Sequence, residues 1–555
     1  MLEAMRAIKI EDLDTPESYH QVVLLLLNVV EQLCLENETL KKTNQDLKDE
    51  INRLKGEQGV PDIAKADKKS SPKDISSNRR EEGKKGEREP LAEKERGEID
   101  IDRSVILHPR AEDLPDDAEL RYYRKVIVQD LKLVRDNVEY TLGVYYSPSL
   151  QKTYSAELPD GHQNGGYGSD LRSFIQVLHH KCQVTQGKIE DLLQDLAIRI
   201  SSGTISNILL ESCDWVLEEQ KAILAAGIAG SSYTGSDSTQ NKEKGVAKKT
   251  HIIVGMYFVA YYTLSSKARL DVIRALLGNP KEGLDIVYNE QARNLFQIFK
   301  VSQEDQLKLS GILEDGQKMS LDAFKKLVEK QAPAIFLKKN IFTRIQESLV
   351  LAFYHTQEDF PIVDMLLSDN APEYQKIARL YHALCWVHDA RHYNKLNPQF
   401  EHNRTLLKAF QSQYWDFYDK LRAFKKMQKD EQITQKALLS AEFDTLFSKK
   451  TGYDNLDKLI ELTKNNKSEL LAVLLNPALP LHNNAAELAV RQIVRKRDIS
   501  LHSWSDKGSK VRDAFLTIIE TAKKLGVSSI KYLEDRIAQK FTMPSLAALV
   551  AKAYA

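Results

Sequence analysis

The chain has 555 residues, and its 79 Lys and Arg are balanced by 79 Asp and Glu, so the formal net charge is +0. This length is enough for several domains with substantial cores, and a neutral balance leaves any nucleic-acid or membrane partner to local charge clusters. Four scattered cysteines without a CxxC pair exclude a disulfide scaffold and fit a reducing compartment. Apolar runs too short to span a bilayer, and the lack of a signal-peptide pattern, predict a cytoplasmic protein with no membrane partner.

A heptad pattern marks the first predicted domain, residues 1–56. Leucines recur every seven residues, and a Val, Asn or Ile stands three residues before each of them. These leucines are Leu26, Leu33, Leu40, Leu47 and Leu54. Such a seam is typical of a two-stranded coiled coil, and Glu36 and Lys41 fall where they would pair across a parallel dimer. The pattern predicts a homodimer or higher oligomer, and the alternative is an amphipathic helix packed on its own domain.

Two segments of contrasting composition follow the heptads. Residues 57–105 are rich in Lys, Glu, Arg, Ser and Gly and almost devoid of aromatic residues, which predicts a charged flexible linker. Residues 106–215 form a predicted α+β region for DNA binding. Within it, residues 120–160 alternate β-branched and aromatic residues with polar ones, which predicts strands.

The end of this region has the pattern of a helix, a tight turn and a second helix, over residues 189–210. Ser202 is suited to cap the second helix. In a helix-turn-helix the second helix enters a major groove, so its polar residues Thr204, Ser206 and Asn207 are the predicted DNA contacts. Two packed helices of an ordinary core would give the same pattern.

From residue 216 the chain mixes strands with helices, which predicts an α/β core. Residues 251–264 are β-branched and aromatic and predict two adjacent strands, and residues 269–277 predict a helix. Residues 360–367 predict a short buried strand, and residues 373–383 a helix.

The α/β core is predicted in two parts, 216–395 and 481–540, followed by a tail over residues 541–555. Between the two parts, residues 396–480 have helical patterning without strand signals, which predicts a helical insertion.

Three acidic residues are candidates for chemistry. Asp369 stands where an apolar strand ends, a place where ligand-binding groups collect in open α/β sheets, although an aspartate there also caps helices. Asp237 lies in a Gly-Ser-Asp-Ser-Thr run that, on its own, predicts a turn. Glu487 falls in the first turn of a helix, where the helix dipole alone favours an acid.

Basic residues accompany Glu487. Arg491 and Arg495 share its helix face at four-residue spacing, and Lys496 and Arg497 extend a local basic cluster. A carboxylate flanked by arginines is suited to meet both a metal ion and a phosphate backbone, while the alternative is a solvated surface.

Cys385 and His388 form only half of a zinc site, because no second ligand pair lies at suitable spacing. We therefore do not expect structural zinc, and His388 is instead a candidate to contact a phosphate.

Four motifs stand in a fixed order, at residues 366–372, 385–393, 483–491 and 520–527. Together they resemble the insertion-sequence-66 family of bacterial transposases, and the Asn-Asn-Ala-Ala-Glu run that begins at Asn483 is the most specific of them. The likeness spans residues 170–540, and the N-terminal heptads also match the layout of that family.

The resemblance implies a DDE transposase. Its expected fold is an α/β ribonuclease-H-like catalytic core with large helical insertions, preceded by the coiled coil and the small α+β region. Asp237 and Asp369 match the two catalytic aspartates and Glu487 the catalytic glutamate. Ser238 departs from the family, which has a second acid there. Residues 106–165 hold no cysteine, so the zinc module frequent in the family has lost its metal here.

The implied activity is Mg²⁺-dependent cleavage at transposon ends and strand transfer into target DNA. The three acids would hold two Mg²⁺ ions, for which Mn²⁺ can substitute. The implied partner is double-stranded DNA, as terminal inverted repeats and as target, with accessory proteins of the same element, at the nucleoid of a bacterium or archaeon. The predicted DNA contacts near the acids are His388, Arg391, Arg491, Arg495, Lys496 and Arg497. The alternatives are a non-catalytic coiled-coil DNA-binding descendant and a structure-specific nuclease on the same fold.

Overall fold

A computed structural model describes residues 15–54, 101–110, 120–158, 166–211, 213–500 and 503–555. The chain divides into two compact units, one made of residues 1–61 with 139–555 and the other of residues 62–138. The described parts of the second unit form neither helix nor strand, so the strands predicted from residue 120 onward are confirmed only as a short hairpin after residue 143. Most of the predicted linker lies outside the described residues.

The strands in chain order are β1 Val144–Ser147, β2 Lys152–Ser155, β3 Thr234–Glu243, β4 Val246–Val254, β5 Val259–Leu264, β6 Asp285–Tyr288, β7 Gln317–Ser320, β8 Met365–Ser368 and β9 Tyr381–Leu384. The helices are α1 Pro16–Leu54, α2 Ser169–Gln176, α3 Gln186–Asp195, α4 Ser202–Leu210, α5 Cys213–Gly230, α6 Arg269–Leu276, α7 Glu290–Ile298, α8 Gln303–Ser310, α9 Leu321–Gln331, α10 Pro333–Leu337, α11 Lys339–Thr356, α12 Trp386–Asn394, α13 Glu401–Phe424, α14 Lys429–Leu446, α15 Asp454–Asn465, α16 Lys467–Leu470, α17 Asn484–Ser500, α18 Asp506–Lys524, α19 Ser529–Ile537 and α20 Leu546–Tyr554.

A five-stranded mixed sheet lies at the centre of the larger unit, in the order β5-β4-β3-β8-β9. Strands β3, β4 and β5 form an antiparallel meander, and β8 and β9 add in parallel to β3. The two adjacent strands predicted from residues 251–264 are thereby confirmed. Helices α5, α17 and α18 pack on the antiparallel half of the sheet, which gives an α/β architecture.

The prediction of a turn around Asp237 is wrong, because Asp237 lies inside the central strand β3, opposite Ile252 of β4. Lys244 and Gly245, with φ of 48° and 79°, close the β3–β4 hairpin in the left-handed conformation that two-residue hairpin loops require. The polar side chains of β3 obscure the strand in the sequence, yet they are bonded to the neighbouring strand: Ser236 donates to the Ile252 carbonyl and Asn241 to Thr250.

The helix predicted over residues 373–383 is also wrong. A short 3₁₀ turn, Pro372–Tyr374, is followed by β9, whose residues pair in parallel with β8 from Tyr381 to Leu384. Pairing with the sheet edge has overridden the local helical pattern.

Residues 396–480 are helical and contain no strand, as expected. Their helices surround an aromatic core in which the buried Trp386 packs against the rings of Tyr414, Phe417, Phe443 and Phe447. We call this body the helical lobe, defined by residues 401–474. The Trp386 indole N–H donates to the Leu470 carbonyl at 2.8 Å, so the first residue of α12 is anchored in the lobe.

The N-terminal helix α1 packs on the helical lobe through one face. Glu31 is fully buried and accepts hydrogen bonds from the Gln399 N–H, the Asn403 amide and the Tyr453 hydroxyl. The heptad face points the other way, since Leu33 is 51% exposed and Leu40 is 68% exposed. The alternative of a helix packed on its own domain therefore holds for one face, and the leucine seam stays available on the opposite face.

The helix-turn-helix pattern folds as α3 and α4 around a small apolar core that includes Ile189, Leu193, Ile205 and Leu209. The cap of α4 is Ser201, whose Oγ accepts from the Thr204 N–H, and not Ser202 as predicted. Within the ranges that the structure describes, no helix has both the length and the apolar character needed to cross a membrane.

Candidate active site

Asp237 and Asp369 are placed together by neighbouring parallel strands. Gly235 of β3 pairs with Leu367 of β8. Asp237 stands two residues after Gly235 within β3, and Asp369 stands two residues after Leu367, directly beyond the end of β8. Because side chains alternate along a strand, residues at matched positions of paired strands lie on the same face. The Asp369 Oδ1 accepts from the Ala371 N–H at 3.3 Å, which holds this carboxylate at the strand end.

Helix α17 brings Glu487 to the same face. Ala486, Ala489 and Ile493 bury one side of this helix against Ile252 and Tyr261 of the sheet. The Tyr261 hydroxyl donates to the Ala489 carbonyl at 3.2 Å and fixes the helix over β4 and β5. Glu487 lies next to the buried Ala486, and its carboxylate is close enough to Asp237 to raise the pKa of that residue.

The charges of Asp369 and Glu487 both act on Asp237. Burial is the main cause that raises the pKa of Asp237 to about 6. The negative charges of Asp369 and Glu487 contribute to this rise, and the Ser238 N–H and Arg391 oppose it. The Ser238 N–H donates to the Asp237 Oδ1 at 2.7 Å. The ionised form of such a carboxylate, beside two other acids, is destabilised, and a cation bound nearby would stabilise it.

Two basic side chains of α12 meet Glu487. The Arg391 Nη2 lies 3.1 Å from the Glu487 Oε1 and 3.4 Å from its Oε2. The His388 Nε2 lies 3.5 Å from the same Oε1. Burial and the charge of Arg391 lower the pKa of His388, so the imidazole is neutral near pH 7.

Asn483 connects the elements that carry the acids. Its side-chain amide donates to the Ser236 carbonyl at 2.9 Å, its backbone N–H donates to the Cys385 Sγ at 3.3 Å, and its carbonyl accepts from the Glu487 N–H at 3.1 Å. A Cβ at Gly235 would lie 3.1 Å from the Asn483 Oδ1, so the glycine allows this close approach. Cys385 is buried and acts here as a hydrogen-bond acceptor.

Tyr374 is a site residue that the sequence analysis missed. It is buried, and burial together with the charge of Asp237 raises the pKa of its hydroxyl, with Asp369 adding to the effect. The helix predicted over residues 373–383 hid it. The sequence feature that could have pointed to Tyr374 is its position five residues after Asp369, beyond Pro372.

The basic residues that were predicted to contact DNA lie in different environments. Arg491 and Arg495 are exposed on α17, and the Arg497 Nη1 donates to the Gln240 carbonyl at 2.8 Å. Lys496 is buried, and burial followed by the charge of Arg512 lowers its pKa to about 8. We therefore leave Lys496 out of the DNA-contacting set.

The segment just before α3 lies against α17, the helix that carries Glu487. The Gln183 side chain donates to the Gln492 Oε1 at 3.3 Å, and the Lys496 Nζ donates to the His179 carbonyl at 3.5 Å. On α4, Asn207 is exposed, while Thr204 and Ser206 are half-buried.

The donor chemistry of the three acids fits a hard divalent cation, because Mg²⁺ prefers carboxylate oxygens held by rigid elements. In the part of the chain that the structure describes, however, no three His, Cys, Asp or Glu side chains are gathered closely enough to hold an ion. Asp237, Asp369 and Glu487 therefore offer suitable donor atoms without forming a closed metal site.

Comparison with known proteins identifies the family. Residues 356–511, which include Asp369 and Glu487, match the model of the transposase IS66 family. The chain is also 30% identical over 341 residues to the uncharacterized protein y4jO of Sinorhizobium fredii, a match that covers 59% of this chain and 99% of that relative. The chain belongs to the IS66 transposase family. In this IS66-family protein, Asp237 lies before the matched segment and joins it through the pairing of β3 with β8.

Proposed function

We propose that the protein is a DDE transposase that cleaves DNA at transposon ends and joins the freed 3′ ends to target DNA. The observation that carries the proposal is the convergence of Asp237, Asp369 and Glu487 on one face of the sheet, from positions far apart in the sequence. We propose further that this sheet is the ribonuclease-H-like core that the family resemblance implies.

Asp237, Asp369 and Glu487 would hold two Mg²⁺ ions, or Mn²⁺ in their place. A bound metal pair supplies Lewis-acid activation of a water or 3′-hydroxyl and stabilisation of the leaving 3′ oxygen. The chain provides the rigid placement: β3 and β8 fix the aspartates, and α17 fixes the glutamate. Asn483 links β3 to α17 through its hydrogen bonds. Rigid placement of the reacting groups is the main requirement of a phosphoryl-transfer site.

The proposed DNA surface surrounds the three acids. Arg391, His388, Arg491 and Arg495 supply positive or hydrogen-bonding groups for phosphates, in a protein with no overall positive charge. Arg497 adds a guanidinium on the same helix. Helix α4, with Thr204, Ser206 and Asn207, is the proposed sequence reader, and the segment that leads into α3 is hydrogen-bonded to α17.

The proposed assembly is a homodimer formed through the exposed heptad face of α1. The face that contacts the lobe, through Asn28 and Glu31, is opposite to the leucine seam. Docking to the lobe and pairing with a second copy are therefore compatible, and together they would bring two cores to two transposon ends. We place this assembly in the cytoplasm, at the nucleoid, with accessory proteins of the same element as further proposed partners.

The decisive test is nicking of a duplex that carries an end of the element, with Mg²⁺, by the purified full-length protein. Asp369→Asn should abolish nicking and leave end binding largely intact. Asp364→Asn is the matched control, because Asp364 stands at the opposite end of β8 and pairs with Arg379. Undiminished nicking by Asp369→Asn would refute the assignment.

A strand-transfer assay separates the transposase from the nuclease alternative, since a nuclease cuts without joining ends. End binding without metal-dependent cutting in the wild-type protein would instead favour the non-catalytic descendant. Ser238, where the family has an acid, is the feature that keeps that alternative open.

A further inference from the structure

The Glu487 carboxylate already has a cationic partner within the chain. One nitrogen of Arg391 contacts both carboxylate oxygens, at 3.1 and 3.4 Å. The Glu487 side chain is only 17% exposed, whereas the Arg391 side chain is 40% exposed. The guanidinium thus approaches the carboxylate from the solvent side, and water or another partner can reach its outer edge.

This ion pair occupies the oxygens that a metal ion would need. Mg²⁺ binds carboxylate oxygens at about 2.0–2.1 Å and tolerates little distortion of its geometry. A guanidinium on the same oxygens competes for their lone pairs and repels the incoming cation. Among the described residues, the side chains around the three acids are not gathered into a metal site, and in this state Arg391 occupies the Glu487 oxygens.

The backbone beneath Arg391 is fixed, so its side chain can move alone. Trp386 at the start of α12 is fully buried in the helical lobe, and Ala390 and Tyr393 on either side of Arg391 are also buried. The Tyr393 hydroxyl donates to the Leu459 carbonyl at 3.1 Å. A change of partner at Arg391 therefore requires rotation of one half-exposed side chain, without movement of the helix.

We propose that Arg391 is an exchangeable counter-ion of Glu487: it holds the glutamate while no metal is bound, leaves it when a divalent cation binds, and then contacts a DNA phosphate. This inference rests on the proposed function of the three acids. A guanidinium is suited to the second role, because its planar donors match the oxygens of a phosphate.

The exchange makes metal binding and DNA binding mutually dependent. DNA that draws Arg391 away from Glu487 removes a competitor of the metal, so DNA should tighten metal binding. By thermodynamic linkage, the metal should tighten DNA binding by the same factor. Without Arg391, the metal should bind well on its own and the dependence should largely disappear.

The test is the affinity of the full-length protein for Mn²⁺, measured from the electron paramagnetic resonance signal of the free ion. Each protein is titrated with and without a short duplex oligonucleotide of arbitrary sequence. The variants are Arg391→Ala and Arg391→Lys, with Asp369→Asn to establish that the acids bind the ion. Arg379→Ala is the matched control, because Arg379 forms a half-exposed pair with Asp364 at the other end of β8.

Arg391→Ala should bind Mn²⁺ on the order of tenfold more tightly than the wild type without DNA, since one positive charge beside the ligand is lost. Duplex DNA should tighten Mn²⁺ binding by the wild type severalfold and have little effect on Arg391→Ala. Arg391→Lys keeps the charge and should stay near the wild type without DNA. Arg379→Ala should match the wild type throughout.

Mn²⁺ binding that is lost in Asp369→Asn but unchanged or weaker in Arg391→Ala would overturn the exchange and leave the metal centre standing. Equal Mn²⁺ binding by the wild type and Asp369→Asn would overturn the proposed metal centre itself, and this inference with it.

Discussion

Replacing Asp237 with Asn should stabilise the folded protein at neutral pH. Burial first, and then the charges of Asp369 and Glu487, raise the pKa of Asp237 from 3.8 to about 6. The folded state therefore carries at neutral pH an ionised carboxylate that is more stable in the unfolded chain. The amide of Asn keeps an acceptor for the Ser238 N–H and removes the charge.

The size of the expected stabilisation follows from the shift in the pKa of Asp237. A pKa of about 6 against 3.8 corresponds to about 3 kcal/mol. The penalty is fully present above pH 6, decreases as the pH falls through the folded value, and is gone below the unfolded value of 3.8. Since the buried amide also loses hydration, we expect Asp237→Asn to gain about 1–3 kcal/mol at neutral pH.

The assay is urea unfolding, followed by tryptophan fluorescence, over a pH series from about 4 to 8 with a chelator present. Asp364→Asn serves as the control, because loss of the half-exposed pair with Arg379 should cost at most about 1 kcal/mol and give no gain. An Asp237→Asn variant no more stable than the wild type at neutral pH, or a difference that does not shrink on acidification, would refute the reasoning.

Three further outcomes test other parts of the structure. Asn483→Asp places a carboxylate against the Ser236 carbonyl and should lower the unfolding stability by about 2 kcal/mol and also reduce nicking. Asn483→Ala should have a smaller effect on both. Equal effects of the two variants would contradict the electrostatic argument. Leu33→Lys with Leu40→Lys should convert a sedimenting dimer to a monomer. At protein concentrations where the wild type is also monomeric, the unfolding stability should fall by no more than about 0.5 kcal/mol, because both side chains are more than half exposed in the single chain. An unchanged sedimentation coefficient would exclude the seam as the interface. Glu31→Ala leaves three donors without their acceptor and should speed amide exchange in α1. Glu36→Ala, at an exposed position, is the control and should not change this exchange. Equal protection in the two variants would show that Glu31 does not dock the helix.

The sequence predicted the elements that have strong periodicity of their own. The heptad helix, the β4–β5 pair and the helices of the lobe all carry patterns that a local window detects. Asp369 was found because an apolar strand ends beside it. Glu487 was assigned through a motif, and its helix was confirmed.

The rest depended on contacts between distant segments. Strand β3 is polar, and the side chains of Ser236 and Asn241 are hydrogen-bonded to β4, so no hydrophobic alternation marks it. Strand β9 is short and has its place only because β8 offers a free edge. Tyr374 and the partners of Arg391 and Lys496 became visible only once the chain was folded.

The anchoring of Trp386 in the helical lobe has a consequence for the whole protein. The residue that opens α12 belongs to the aromatic core of the lobe, while Arg391 and His388 of the same short helix contact Glu487. A ligand that binds the three acids only in their folded arrangement stabilises that arrangement. It therefore also stabilises the helical lobe, which holds α12 in place. Slower amide exchange in α13–α15 on addition of Mn²⁺ would reveal that distant protection. The large insertion would then report on binding at the three acids.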